Sequence, residues 1–202
     1  MNRLFWDKQA SDYDNQLKLA QDAYLEVIEL IKKEINKSYV LLDVGTGTGD
    51  IPIALHNFVE RIIATDFSPQ MIDIANRKLH NLKLNNLAFQ VEDCNNLSFG
   101  EEMFDGIIVA NLVHFLEEPE QFLKSTKRLL KKDGKIFILS FLFNENIKAR
   151  IFAQIRKFQK YPIKKSFNSK SIIDFVAACG YKVEKSVFIK SKIPMIFIVG
   201  AK

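Results

Sequence analysis

Cysteine, proline and glycine are all scarce in this chain: 202 residues contain 2 Cys, 5 Pro and 8 Gly. Cys94 and Cys179 lie far apart, with no Cys-x-x-Cys pair and no adjacent histidine, so neither a disulfide framework nor a zinc site is expected. The 3 histidines, His56, His80 and His114, are scattered as well, and no metal is expected anywhere. Proline, glycine and serine nowhere gather into a linker, and there are no repeats or low-complexity tracts, so residues 1–202 are expected to form one domain. Long apolar runs are missing too: Ile136–Leu139 with Phe141–Phe143, and Ile193–Val199, fall well short of the roughly 20 residues that span a bilayer. The opening MNRLFWDKQASDYD has no apolar core of a signal peptide. A cytoplasmic chain with reduced thiols is the expectation.

What is present is the composition of a globular protein, 48% apolar and 26% charged. The net charge of +5 conceals an imbalance. Residues 1–141 carry 16 Lys+Arg against 21 Asp+Glu, whereas residues 142–202 carry 13 against 3. Either lysine is spread over a solvated face, or the C-terminal third is a basic platform for an anionic acceptor, a nucleic acid or a lipid surface.

Apolar spacing alternates between two periods along the chain. A helix is predicted over Asn15–Ile35, with Tyr24, Val27, Ile28, Ile31 and Ile35 on one face. Strands are predicted at Tyr39–Val44, Arg61–Thr65, Leu87–Val91, Phe104–Ala110 and Lys135–Phe141. Between them lie helices at Ile51–Phe58 (Asp50 as N-cap), Ser68–Asn81 (Ser68 as N-cap, Pro69 first) and Pro119–Leu130, the last closed by an Asp133–Gly134 turn. After a helix over Ser169–Cys179, the strands Tyr181–Ile189 and Ile193–Val199 are separated too briefly for a crossover and must form a hairpin. The expected fold is α/β: a doubly wound, Rossmann-like, seven-stranded sheet, mostly parallel, with an antiparallel C-terminal hairpin strand.

The first strand runs directly into Asp43-Val44-Gly45-Thr46-Gly47-Thr48-Gly49-Asp50. Alternate glycines let the backbone turn sharply and approach a ligand, and the following helix aims free N–H groups at the same place. The spacing is GxGxG, which is neither the dinucleotide fingerprint GxGxxG nor a P-loop. Carboxylates at Asp43 and Asp50 would repel a pyrophosphate and suit a cation. Asp66, ending the second strand, is placed to accept both hydroxyls of a ribose.

D-V-G-T-G-T-G-D, A-T-D-F-S-P-Q-M, V-E-D-C and F-D-G-I-I-V-A-N-L-V-H-F-L, together with the terminal hairpin, resemble the class I S-adenosylmethionine-dependent methyltransferases, over nearly the whole chain from about residue 10. The resemblance implies S-adenosylmethionine as cofactor and S-adenosylhomocysteine as product. It implies that Gly45, Thr46, Gly47 and Gly49 line the methionine part, with Asp43 near the ammonium. Asp66 would hold the ribose, Phe67 and Met71 the adenine, Asp93 the adenine amino group and the Cys94 backbone N–H a ring nitrogen. Asn111 would face the methionine or the reacting methyl. For Phe67 and Met71 ordinary core packing is the competing reading.

The opening F-W-D-K-Q-A-S-D-Y-D resembles the ubiquinone/menaquinone-type and related small-molecule branch, which implies an N-terminal lid (residues 1–36) carrying Tyr13, Phe5 and Trp6. Trp6 could equally anchor the first helix to the core. N-L-V-H at the fourth strand's end is not the D/N-P-P-aromatic motif of amino-directed nucleic-acid enzymes, and no nucleic-acid partner is expected. His114 is either a general base or acceptor contact, or a structural residue in a helical turn. Residues 142–168 are the expected acceptor-site insertion. Within it Ile147, Ile151, Ile155 and Phe158 form one helix face, either packed on the sheet edge or closing an apolar acceptor pocket as a lid. The implied activity is methyl transfer to a small aromatic or apolar metabolite. A quinone-precursor enzyme at the membrane surface, touching it through the basic C-terminal third, and a non-catalytic cofactor-binding partner subunit are the alternatives.

Overall fold

The computed structural model describes residues 3–18 and 20–202, so residues 1, 2 and 19 of the expected lid lie outside the described residues. Seven strands form one sheet: β1 (Val40–Val44), β2 (Arg61–Asp66), β3 (Leu87–Val91), β4 (Phe104–Ala110), β5 (Leu130–Phe141), β6 (Lys182–Ile189) and β7 (Met195–Ala201). Their order is β3-β2-β1-β4-β5-β7-β6. All neighbours are parallel up to β5, and β7 is antiparallel to both β5 and β6, which is the expected terminal hairpin.

Side chains alternate strictly between the two faces because a strand has a period of two. Leu42, Val44, Ile107, Val109, Ile136 and Ile138 enter one core. Leu41, Ile108, Phe137 and Leu139 enter the other. Helices α5 (Pro119–Leu129) and α7 (Ser169–Ala178) cover the first face through Phe122, Leu123, Ile172 and Val176. Helices α2 (Gln21–Lys32), α3 (Asp50–Leu55) and α4 (Pro69–Leu82) cover the second. Burial on both faces is why the strands read as continuous apolar runs.

The N-terminal region departs from expectation. In place of one helix over Asn15–Ile35 there are two, α1 (Arg3–Lys18) and α2, with Ala20 outside helical geometry at φ −122° and ψ 17°. The apolar periodicity belongs to α2 alone. Trp6 and Ala10, buried one turn apart, mark the inner face of an otherwise highly polar α1.

Two further corrections concern caps and turns. Gly49, at φ 87°, occupies the N-cap of α3, and Asp50 is the first helical residue, its carboxylate engaged by Lys78 at 2.7 Å. Strand β5 starts at Leu130, five residues before the predicted Lys135. Leu130 pairs with Phe104, then the register slips so that Gly106 faces Lys135, which absorbs the predicted Asp133–Gly134 turn as an irregularity within the strand. The cap of α4 is as predicted, with the Ser68 hydroxyl accepting the Met71 N–H at 3.3 Å.

Candidate functional site

The strand order reverses between β1 and β4, and in open α/β sheets ligands bind outside the carboxyl ends of the strands at such a point. The β1 turn opens there with Gly45 at φ 73° and Gly47 at φ 58°, a conformation that disfavours any side chain. The Gly45 and Thr46 N–H groups both donate to the Thr65 carbonyl, which ties the turn to β2. Asp66 then closes it from the side, one carboxylate oxygen accepting the Gly47 N–H at 3.0 Å and the other the Ser68 N–H at 2.9 Å. Burial pushes the Asp66 carboxyl above its ordinary value in spite of these bonds.

Asp43 is almost wholly enclosed. One of its oxygens accepts the Thr46 hydroxyl at 2.6 Å, and the other has no partner. Burial raises its pKa to about 7, with Asp66 adding like-charge repulsion.

The roof is aromatic. Trp6 from α1 packs edge-on to Phe115 with centroids 4.9 Å apart, and Tyr161 stands 5.7 Å from each. His114 sits in the Val113–Phe115 3-10 turn, 4.0 Å from the Phe115 ring and 5.1 Å from that of Phe143. Neither imidazole nitrogen has a partner, nor does Trp6 Nε1, and burial lowers the His114 pKa to about 3. Burial also pushes the Tyr24 hydroxyl and the Cys94 thiol up to about 12, so neither supplies a charge here.

Helix α6 (Ile147–Phe158) joins the same aromatic cluster through Phe152 and Ala153. Helix α1 is latched across the site. The Ser68 hydroxyl donates to Asp7, the Thr48 hydroxyl to Asp14, and Lys78 bridges Asp14 and Asp50 at 2.8 and 2.7 Å.

Most of the residues singled out in the sequence converge. Tyr13, Gly45, Gly47, Asp66, Phe67, Met71, Cys94 and Asn111 line one cavity, and Asp43 and Thr46 border a smaller one that shares the walls of Tyr13, Gly45 and Ala110. Three do not converge. His114 is fully buried behind Phe115 and lines neither cavity. Gly49 faces α4 and β3, where a Cβ would stand 2.5 Å from the Phe89 ring, so it is a packing glycine. Asp93 is exposed and accepts from its neighbour Asn95, while Glu92 takes a place on the cavity wall.

Asn111 is present but committed to the scaffold. At φ 52° it gives its amide N–H to the Tyr24 hydroxyl at 2.8 Å and accepts the Phe141 N–H at 3.1 Å. Reading the sequence missed Glu92, Ala110, Leu112 and Phe115 on the cavity wall, each of them adjacent to a residue it did single out (Asp93, Asn111 or His114). The expected inward apolar face of α6 is also corrected: Ile147, Ile151, Ile155 and Phe158 all point outward.

The main cavity encloses about 40 Å³, far less than the roughly 300 Å³ or more that a ligand of nucleoside size needs. Tyr13 takes up part of this space: its ring lies 3.0 Å from where a Cβ on Gly47 would stand. A ligand of that size needs the Tyr13 side chain, or the α1 helix that carries it, to give way.

A twisted, largely parallel sheet with a glycine turn at its switch point, an acidic residue ending β2 and an antiparallel β7 defines a Rossmann-like methyltransferase architecture. Residues 42–138 match the family model described as "Methyltransferase domain". That match, just under half of the chain, is to a methyltransferase domain and covers the glycine turn, Asp66 and β4.

Among curated proteins it is 37% identical over 102 residues to the demethylmenaquinone methyltransferase of Bacteroides fragilis, covering 49% of this chain and 42% of that one. It is 32% identical over 116 residues to a ubiquinone/menaquinone biosynthesis C-methyltransferase of Blochmanniella pennsylvanica, covering 55% and 46%. An uncharacterised protein of Methanocaldococcus jannaschii matches over more of its length, 27% identical across 88% of this chain and 80% of that one. The chain thus spans less than half the length of the first two relatives. Among solved structures, a SAM-dependent methyltransferase of Aquifex aeolicus superposes with a TM-score of 0.70 at 22% identity, covering 86% of this chain and 88% of that one. One of Thermotoga maritima gives 0.75 at 20%, covering 98% of each. These two establish the fold. Among the described residues no helix is long and apolar enough to cross a membrane, and no cluster of ligating side chains could hold a metal.

Proposed function

We propose that the protein transfers the methyl group of S-adenosylmethionine to a small aromatic or apolar metabolite. The observation that carries this reading is the pairing of a carboxylate-lined glycine turn with an aromatic roof over one cavity. The unpartnered Asp43 oxygen fits the cofactor's ammonium, and the Asp66 carboxylate at the end of β2 fits its ribose hydroxyls. Phe67 and Met71 supply apolar walls for the adenine, and the Cys94 backbone stands beside them.

The cofactor supplies a methyl already activated by a positively charged sulfur. What remains for the protein is alignment and the exclusion of water, together worth several kcal/mol. The latched α1 excludes water. The aromatic faces of Trp6, Phe115 and Tyr161 orient a flat acceptor. His114 is fully buried behind Phe115 and outside the cavity lining, and burial lowers its pKa to about 3, so it is a neutral imidazole that would reach an acceptor only if the aromatic roof shifts.

A second reading, a quinone-precursor methyltransferase working against a membrane surface, is supported by the similarity to two methyltransferases of quinone biosynthesis and by the positive C-terminal third. Both cysteines are buried free thiols, which supports a cytoplasmic setting.

Calorimetric titration with S-adenosylhomocysteine, with NADH as the control, tests the proposal. Micromolar binding of the former alone is expected, at about −8 kcal/mol; binding of neither, or of NADH, overturns it. Replacing His114 by Ala should leave that affinity unchanged and lower turnover on an acceptor. Unchanged turnover would make His114 purely structural.

A further inference from the structure

Helix α6 turns four of its five large apolar residues away from the protein, Phe152 being the exception. Ile147, Ile151, Ile155 and Phe158 are 67%, 54%, 51% and 90% exposed, whereas the helix rests on the core through the small residues Ala149 and Ala153. Spaced i, i+4, i+8 and i+11, the four occupy an arc of about 80° at 100° per residue. Exposed Lys148 borders one side of the stripe, and exposed Arg150 and Lys157 border the other. Arg156 is not among these cations, since it lies over the Tyr161 ring at 4.0 Å.

No Asp or Glu occurs from Asn146 to Ile173, a span that contains the whole helix. Isolated exposed apolar residues are ordinary on a protein surface, but a continuous helical stripe marks an interaction surface. A single apolar stripe flanked by cations, on a helix with no acidic residue, is the pattern of a helix lying in the plane of a lipid interface. There the stripe enters the acyl boundary while lysine and arginine reach anionic headgroups.

We infer that α6 docks the protein onto an anionic lipid surface through Ile147, Ile151, Ile155 and Phe158, with Lys148, Arg150 and Lys157 pairing with the headgroups. Charge favours this occupant over a second copy of the chain. Two such stripes laid together would bring like cations face to face with no acid on either helix to pair them. The inference deepens the membrane-surface reading by assigning it to one helix instead of the diffuse basic third. Its consequence is geometric: Phe152 and Ala153, on the inner side of α6, belong to the aromatic cluster over the cavity. The site's roof would thus lie about one helix diameter, roughly 10 Å, from the lipid.

The test is co-sedimentation of the full chain with vesicles of phosphatidylcholine alone or with phosphatidylglycerol added, at low and high salt. Three variants are compared: Ile151→Ser/Phe158→Ser, Lys148→Gln/Arg150→Gln/Lys157→Gln, and Lys190→Gln/Lys192→Gln, whose exposed lysines lie in the β6–β7 turn. The inference expects salt-sensitive binding to the anionic vesicles only, weakened at least about tenfold in both α6 variants and unchanged in the turn variant.

Equal binding by the Ile151/Phe158 variant, or a loss in the turn variant matching that of the α6 cation variant, overturns the role of α6 and leaves a diffuse basic surface. No binding of the parent chain to anionic vesicles overturns membrane docking altogether. Equal binding to neutral vesicles overturns the headgroup pairing. A lipid-free dimer that the Ile151/Phe158 variant dissociates makes the stripe a self-association face. S-adenosylhomocysteine titration of each preparation confirms folding and shows separately whether the cofactor reading stands.

Discussion

The two halves of the site are built differently. Around the β1 turn and the end of β2, polar groups are satisfied by neighbours close in sequence or on the adjacent strand: Thr46 on Asp43, and the Gly47 and Ser68 N–H groups on Asp66. Under α1 and α6, polar atoms are left over. Trp6 Nε1 and both nitrogens of His114 are buried among aromatic rings without partners. An unmet buried hydrogen-bonding group costs about 1–3 kcal/mol, which folding tolerates where a ligand will supply the partner. The difference teaches that the half proposed to hold the cofactor is preorganised and leaves one oxygen, on Asp43, unpartnered. The half proposed to hold the acceptor is an unfinished hydrogen-bonding environment.

The largest test of this contrast is Asp66→Ala. It removes a buried carboxylate from both the turn and the proposed ribose site, and affinity for S-adenosylhomocysteine should fall about a hundredfold or more by calorimetry. Unchanged affinity would break the contrast at its strongest point.

Asp43 should reveal itself through pH. With its pKa raised to about 7, it must ionise to pair with an ammonium. Affinity should therefore rise as pH increases towards 7, by up to about tenfold per unit, and Asp43→Asn should flatten the slope.

For the acceptor half the sign is opposite in origin. His114 titrates near 3 when folded and near 6.5 when unfolded. The unfolded chain thus binds the extra proton between those values. Its contribution to stability is fully present above the unfolded value and is lost as pH falls towards 3. His114→Leu should reduce that acid loss, measured by urea unfolding at about pH 7 and about pH 4.

The smallest effect belongs to the latch. The Lys78 ion pairs are partly exposed, so Lys78→Ala should cost under about 1 kcal/mol of stability. It should nevertheless raise the rate of S-adenosylhomocysteine entry in stopped flow if α1, which holds Tyr13 over the cavity, gives way to admit the ligand.

The sheet was legible in the sequence because burial on both faces leaves an unmistakable run of apolar residues. The glycine turn and Asp66 were legible because their chemistry is local. The α1 helix was missed because only Trp6, Ala10 and Tyr13 turn inward on an otherwise polar segment. The role of Gly49 was misassigned because Phe89, 40 positions away, is what requires its missing side chain. In α6 the periodicity was read correctly and its direction was not: spacing shows that four residues share a face, and it carries no sign for inside or outside.

The sequence by itself determined the architecture, the place of the turn and the carboxylates beside it, since each depends on periodicity or on residues a few positions apart. Only the tertiary structure decided that α1 closes over the site, that the Asn111 amide is spent on Tyr24 and Phe141, and that the stripe of α6 faces outward. Those outcomes rest on contacts between residues dozens of positions apart, where packing and the satisfaction of buried polar groups choose among arrangements that local pattern leaves equivalent.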